Sequence, residues 1–332
     1  MNLSGFRLTG LVAATHSPTH RDGRLNLDTV ELQARHLAAN HVAGAFVAGT
    51  TGESHSLTVA ERQALAARWM DVSRDLPLKV VVHVGHNCLS DAQALAAHAE
   101  ECGAHAIAAL APSYFRPPTI NQLIDFLGAI AAAAPHTPFY FYDIPSWTGV
   151  QFSIVSFLER AQRQIPTFVG VKYTNADLTE LQRALQFDGG RFDILWGSDE
   201  SLLAGLALGC RGAVGSTYNF AAPLYHRVIE AFENGDLESA RGYQSRAVAM
   251  VGTIAQYGFT AAAKSVMGML GIDCGPARLP LAALSAATIA ELRAELEALG
   301  FFGWVASQES TPVPPRRPVP APHGTMHHTV LK

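Results

Sequence analysis

The chain is short of cysteine, short of charge and free of long apolar runs. Its 332 residues include four cysteines, Cys88, Cys102, Cys210 and Cys274, and no Cys-x-x-Cys pair. That spacing argues against a disulfide framework or a zinc knuckle. It suits the reduced, packed thiols of a cytoplasmic protein. Charged residues make up 16% of the chain, and the formal net charge is −4. Without a basic stripe or an acidic block, neither nucleic-acid binding nor a disordered acidic effector is expected. The opening residues lack the apolar stretch of a signal peptide. Apolar runs stop short of a membrane span; residues 202–214, for example, contain Arg211. No Gly-x-Gly-x-x-Gly or Walker-type loop occurs, so nucleotide cofactors lack support. His83 and His86 stand three apart on an extended segment and diverge, and no further ligand converges there to hold zinc. The expectation is a soluble cytoplasmic protein that needs no metal and no cofactor.

What the chain does have is alternation. Short apolar runs at 9–14, 43–48, 79–84, 106–111, 138–143, 168–172, 192–196 and 212–215 read as strands. Helix-length segments separate them, at 31–39, 58–74, 90–102, 119–134, 153–163, 177–186 and 201–208. Thr58 is placed to cap the second of these, with Glu61 three residues on. Strand–helix alternation implies a parallel sheet. Eight continuous apolar strands fit a closed (β/α)8 TIM barrel, buried on both faces.

The pattern then changes. Segments 225–234, 237–257, 260–270 and 285–299 read as helices with no strand between them. The expected organisation is a barrel over 1–224 carrying the active site, a helical C-terminal extension over 225–303, and a tail over 304–332. That tail carries six prolines and little apolar content, and is expected to be disordered.

Active groups of such a barrel sit at the C-terminal strand ends. The sixth run ends in Lys172, where water is scarce and desolvation disfavours an ammonium ion. A neutral amine attacks ketones to form imines; a lysine also ends a strand simply by reaching for solvent. The second run ends in Gly49-Thr50-Thr51-Gly52-Glu53, whose hydroxyls and N–H groups suit a carboxylate, though the segment is also a good turn. In the fifth, alternation sends Tyr140 and Tyr142 to one face, as proton relays or as packed phenols. The seventh ends in Gly197-Ser198-Asp199-Glu200, acids that suit either a helix cap or the hydroxyls of a sugar. The eighth ends in the polar cluster Gly215-Ser216-Thr217-Tyr218-Asn219.

In this order and spacing, Gly49–Glu53, Tyr142-x-Ile144-Pro145, Gly170-Val171-Lys172 and Gly215–Asn219 resemble the pyruvate-dependent class I aldolase family. That family holds dihydrodipicolinate synthase and N-acetylneuraminate lyase. The resemblance spans residues 8–299. Leu11-Val12-Ala13-Ala14-Thr15, His83-Val84-Gly85 and Ala213–Asn219 are similar to the lyase branch. So is the acidic pair Asp199-Glu200. Trp147 stands where the synthase branch carries an arginine for a second carboxylate.

The resemblance implies a role for each matching position. Lys172 would form a Schiff base with the substrate's keto carbon. Thr50 and Thr51 would bind the pyruvate-side carboxylate, and Tyr142 would shuttle the proton. Tyr114 would reach a neighbouring subunit's site, beside a Ser113 that replaces the usual aromatic. Thr174, Gly197, Asp199, Glu200 and Ser216 would line the sugar end. Asp143 replaces an asparagine or histidine and would shift the pocket's charge. The implied substrate is sialic acid, cleaved to pyruvate and an amino sugar by a homotetramer without metal or organic cofactor. Two alternatives stay open: a related aldolase or dehydratase acting on another sugar acid or on aspartate semialdehyde, and a barrel that binds a keto acid without turnover.

Overall fold

The computed structural model describes residues 5–306. The proline-rich tail expectation falls almost wholly on residues 307–332, outside the described residues. Eight parallel strands close into one barrel in sequence order. They are β1 (Gly10–Ala14), β2 (Gly44–Val47), β3 (Lys79–His83), β4 (Ala106–Leu110), β5 (Phe139–Asp143), β6 (Phe168–Tyr173), β7 (Asp193–Trp196) and β8 (Gly212–Gly215). Closure comes from β1 pairing with β8, Gly10 opposite Gly212 and Ala13 opposite Gly215.

The strands are apolar throughout because each buries both faces. Inward residues, among them Val12, Phe46, Val81, Ala108, Tyr140, Tyr142, Leu195 and Val214, fill the barrel interior. Outward residues, such as Val47, Val82, Ile107, Phe141 and Val171, pack beneath the helices. Gly170 is required where β6 meets β7: a Cβ there would stand 1.9 Å from the Asp193 carbonyl oxygen.

The connecting helices are α1 (Thr29–Ala39), α2 (Val59–Val72), α3 (Leu89–Glu101), α4 (Ile120–Ala131), α5 (Pro145–Thr148), α6 (Ile154–Gln164), α7 (Leu178–Gln186) and α8 (Leu202–Leu208). Caps set their starts. Thr58 and Glu61 form the expected capping box on α2, and Asp177 accepts from the Glu180 N–H at 2.9 Å to start α7. The one-turn helix α5 is too short to leave a periodic signal.

After β8 come α9 (Tyr218–Glu233), α10 (Leu237–Gln256), α11 (Phe259–Met269), α12 (Ala286–Leu299) and α13 (Phe301–Val305). Helix α9 begins seven residues before the expected 225 and runs through Pro223. Proline has no N–H to give the carbonyl four residues back. That carbonyl, of Asn219, is instead 3.0 Å from His36 Nε2 on α1, and the backbone bends at Ala221. A partner from another helix replaces the missing donor.

Candidate active site

The C-terminal ends of β2, β5, β6 and β8 bring their polar groups to one mouth. Lys172 on β6 is 4% exposed. Its register partner on β5 is Tyr142, so both side chains point into the barrel. Lys172 Nζ lies 3.9 Å from the Tyr142 ring centroid and 4.3 Å from that of Phe46. It forms no ion pair with any described carboxylate. The amine therefore sits against two aromatic faces, with no salt bridge to break before it can react.

Two hydroxyl pairs flank it. Thr50 Oγ1 is 3.3 Å from Tyr142 Oη, and Thr51 Oγ1 is 2.6 Å from Ser216 Oγ. The N–H groups of Thr50, Thr51 and Gly52 have no acceptor among the described residues. Hydroxyls and free N–H donors beside a buried amine can hold a carboxylate while the amine takes the adjoining carbonyl. Beneath them His83 is fully buried, with Nδ1 3.0 Å from the Ala48 carbonyl oxygen. Burial, and then the charge of Arg62, holds this imidazole well below its ordinary range, so it is neutral. Its ring meets Tyr142 edge-on, with centroids 5.9 Å apart.

The acidic pair at β7 divides. Asp199 is buried, and its Oδ2 accepts from Thr217 N at 2.7 Å and Thr217 Oγ1 at 2.6 Å. Burial pushes its carboxyl up to about 6, against those two bonds. A Cβ on Gly215 would meet Asp199 Oδ1 at 1.9 Å, so the end of β8 needs glycine to admit the carboxylate. Asp199 thus ties the ends of β7 and β8 together, whereas Glu200 is exposed. Thr174 packs its hydroxyl over Gly197, where a Cβ would lie 2.0 Å away. That hydroxyl finds no partner among the described residues.

Other positions lie apart. Tyr114 is 78% exposed, and among the described residues its ring meets Phe115 and not the lysine mouth. Tyr140 is the packed phenol, donating to Asp193 Oδ2 at 2.6 Å. Asp143 departs from expectation. It pairs in register with Tyr173, one residue beyond the inward pair, and so faces outward. There it sits among Leu123, Phe141, Val150, Phe152 and Phe157, accepting from Asn175 Nδ2 at 3.2 Å. Its charge does not enter the pocket.

Burial pushes the Asp143 carboxyl up to about 7, with the Asn175 bond opposing. A carboxyl raised on folding binds its proton more tightly in the folded state. Its contribution is fully present below about pH 4 and is lost as pH rises through about 7. Asp143→Asn keeps the shape and removes the titration. The variant should match the parent near pH 4 and exceed it at pH 8 by up to about 4 kcal/mol, measured by urea unfolding at both pH values. A constant difference across that range contradicts a neutral buried carboxyl.

Sequence reasoning missed Phe46, which alternation along β2 would have pointed inward. It also missed the partners of Glu53, which come from distant segments and leave no local signal.

The chain as a whole is similar to known proteins. The model of the dihydrodipicolinate synthetase family matches residues 7–299. An N-acetylneuraminate lyase from Gallus gallus is 41% identical over 297 residues, covering 88% of this chain and 96% of its own. One from Mus musculus is 39% identical over 311 residues, covering 92% and 97%. The solved N-acetylneuraminate lyase of Proteus mirabilis superposes with a TM-score of 0.87 at 38% identity, covering 89% of this chain and all of that one. The chain belongs to the dihydrodipicolinate synthetase family.

Proposed function

We propose that the chain is an N-acetylneuraminate lyase, cleaving sialic acid reversibly to N-acetylmannosamine and pyruvate through an imine on Lys172. The observation that carries this reading is the buried Lys172 amine set between Phe46 and Tyr142, beside the Thr50–Tyr142 hydroxyl pair. The names of the relatives at about 40% identity support the substrate.

In the proposed reaction, the Lys172 amine adds to the C2 ketone of the open-chain sugar, and a proton taken from solvent lets the carbinol oxygen leave as water, which gives the protonated imine. Thr50, Thr51 and the adjacent N–H groups hold the C1 carboxylate. The Tyr142 hydroxyl takes the C4 hydroxyl proton while passing its own to that carboxylate. The C3–C4 bond breaks, its electron pair passes to the imine, and the aldehyde of N-acetylmannosamine departs. The enamine takes a proton at C3, and water returns the amine and pyruvate. Exposed Glu200, Ser216 and the unpartnered Thr174 hydroxyl are the proposed sugar contacts; Asp199 holds the strand ends that carry them.

The proposed assembly is a homotetramer in which Tyr114 serves a neighbouring copy. Its exposure, with Phe115 at 85% and Trp147 at 71%, supports a partner surface. No described helix is long and apolar enough to cross a membrane. Four free thiols support a cytoplasmic place.

A coupled assay of pyruvate release across sialic acids and other sugar acids tests the reading. N-acetylneuraminate should be the best substrate. Release from a different sugar acid with none from N-acetylneuraminate would transfer the reading to a related aldolase.

A further inference from the structure

The turn that carries Thr50 and Thr51 is held in an unfavourable shape. Ala48 and Glu53 bracket it, with φ of 56° and 57°, and neither is glycine. The left-handed region costs an L side chain, and only surrounding structure keeps it populated. Within the turn, Glu53 N donates to Thr50 O at 3.0 Å and Ser54 N to Gly49 O at 3.2 Å. These bonds consume carbonyls and leave the N–H groups of Thr50 to Gly52 unclaimed.

The remaining restraint comes from far away in sequence. The Glu53 side chain is 2% exposed and the Lys264 side chain 1%. Lys264 Nζ, on α11, donates to Glu53 Oε1 at 3.0 Å. It also donates to Ser17 O at 3.0 Å and to Pro276 O at 2.8 Å. Those three acceptors use its three protons; Thr19 Oγ1, at 3.4 Å, is more distant. The second Glu53 oxygen accepts from Arg278 N at 2.7 Å. Ser17 closes the circuit, since its Oγ donates to Gly52 O at 2.7 Å. Lys264 therefore reaches the turn by two routes, directly through Glu53 and indirectly through Ser17. Nearby His16 is pushed down to about 3 by burial and then by the Lys264 charge, so it adds no second cation.

We infer that Glu53 and Lys264 are positioning residues that lock the Thr50–Thr51 turn open to a keto-acid carboxylate, so that helix α11, outside the barrel, sets affinity for that carboxylate. The inference rests on the keto-acid reading above and deepens it. Neither side chain touches the reacting carbon, and Lys172 keeps its own surroundings on β5 and β6. The locked turn should therefore matter to a carbonyl compound that bears a carboxylate, and not to one that lacks it.

The test is borohydride trapping on the full chain, with pyruvate and with acetaldehyde in parallel. Glu53→Gln retains side-chain size and removes the charge, and Lys264→Met does the same from the other side. Each should raise the pyruvate concentration for half-maximal trapping by about tenfold or more, the worth of a buried charge-assisted bond. Acetaldehyde trapping at Lys172 should stay within about twofold. The double variant should be no worse than the poorer single one, because the two groups act as a unit. Ser17→Ala removes no charge and should fold even if the others do not; it should shift pyruvate in the same direction by about threefold. Pyruvate trapping that stays within twofold of the parent in every folded variant overturns the inference. So does an equal fall for pyruvate and acetaldehyde, which would mark general damage. A parent chain that pyruvate does not label removes the keto-acid reading itself, whereas a labelled parent with unaffected variants removes the positioning role alone.

Discussion

Lys172→Ala is expected to lower pyruvate release from N-acetylneuraminate by roughly 10⁴-fold or more, as removal of a covalent nucleophile does elsewhere. The proposed chemistry has no other electron sink: without an imine, the C3–C4 electron pair has nowhere to go. The fold should survive. Lys172 carries no ion pair among the described residues, so its removal leaves no buried carboxylate unpaired. The contrast with Lys264 is direct. Removing one partner of a buried ion pair costs about 3–5 kcal/mol, because the other charge is stranded, and Glu53 is its partner at 3.0 Å. Circular dichroism and urea unfolding should therefore show Lys172→Ala folded and inactive. An alanine variant that keeps a tenth of the parent rate would contradict the assignment.

Tyr142→Phe should separate imine formation from bond cleavage. Phenylalanine keeps the ring face 3.9 Å from Lys172 Nζ. It also keeps the edge contacts to Phe46 at 5.6 Å and His83 at 5.9 Å. Only the hydroxyl beside Thr50 is lost. A general acid–base group contributes about 10²–10⁴-fold, so kcat should fall by that factor. Pyruvate should still form an imine on Lys172, because the amine and the two threonines are intact. Steady-state kinetics and borohydride trapping read the two effects separately. A variant within threefold of the parent kcat would assign the proton transfer to another group.

The features legible in the sequence are those fixed by neighbours along the chain. Lys172 could be placed at a strand end because Phe168-Val169-Gly170-Val171 is continuous and apolar, and β6 runs through it to Tyr173. Thr58 and Glu61 announce a helix start by chemistry three residues apart. The meeting of Thr51 with Ser216, 165 positions on, depends on the whole barrel order; the family resemblance set the two at the carboxylate and sugar ends of one pocket and not against each other. Glu53 and Lys264 are 211 positions apart, and neither sits in a pattern that names the other. Asp143 was misread because motif identity was followed past the strand's alternation; Tyr142 facing in requires its neighbour to face out. Asp199 was read as a sugar contact from its acidic dipeptide, and its bonds to Thr217 were not legible because they lie across the next strand connection.

The central claim is a covalent bond between Lys172 and a keto acid. Borohydride reduction in the presence of saturating pyruvate, followed by peptide mass mapping, tests it most directly. The account predicts one modified site, on the peptide carrying Lys172, that disappears when pyruvate is omitted. An unmodified Lys172, or a label on Lys79 or Lys264 in its place, would contradict it.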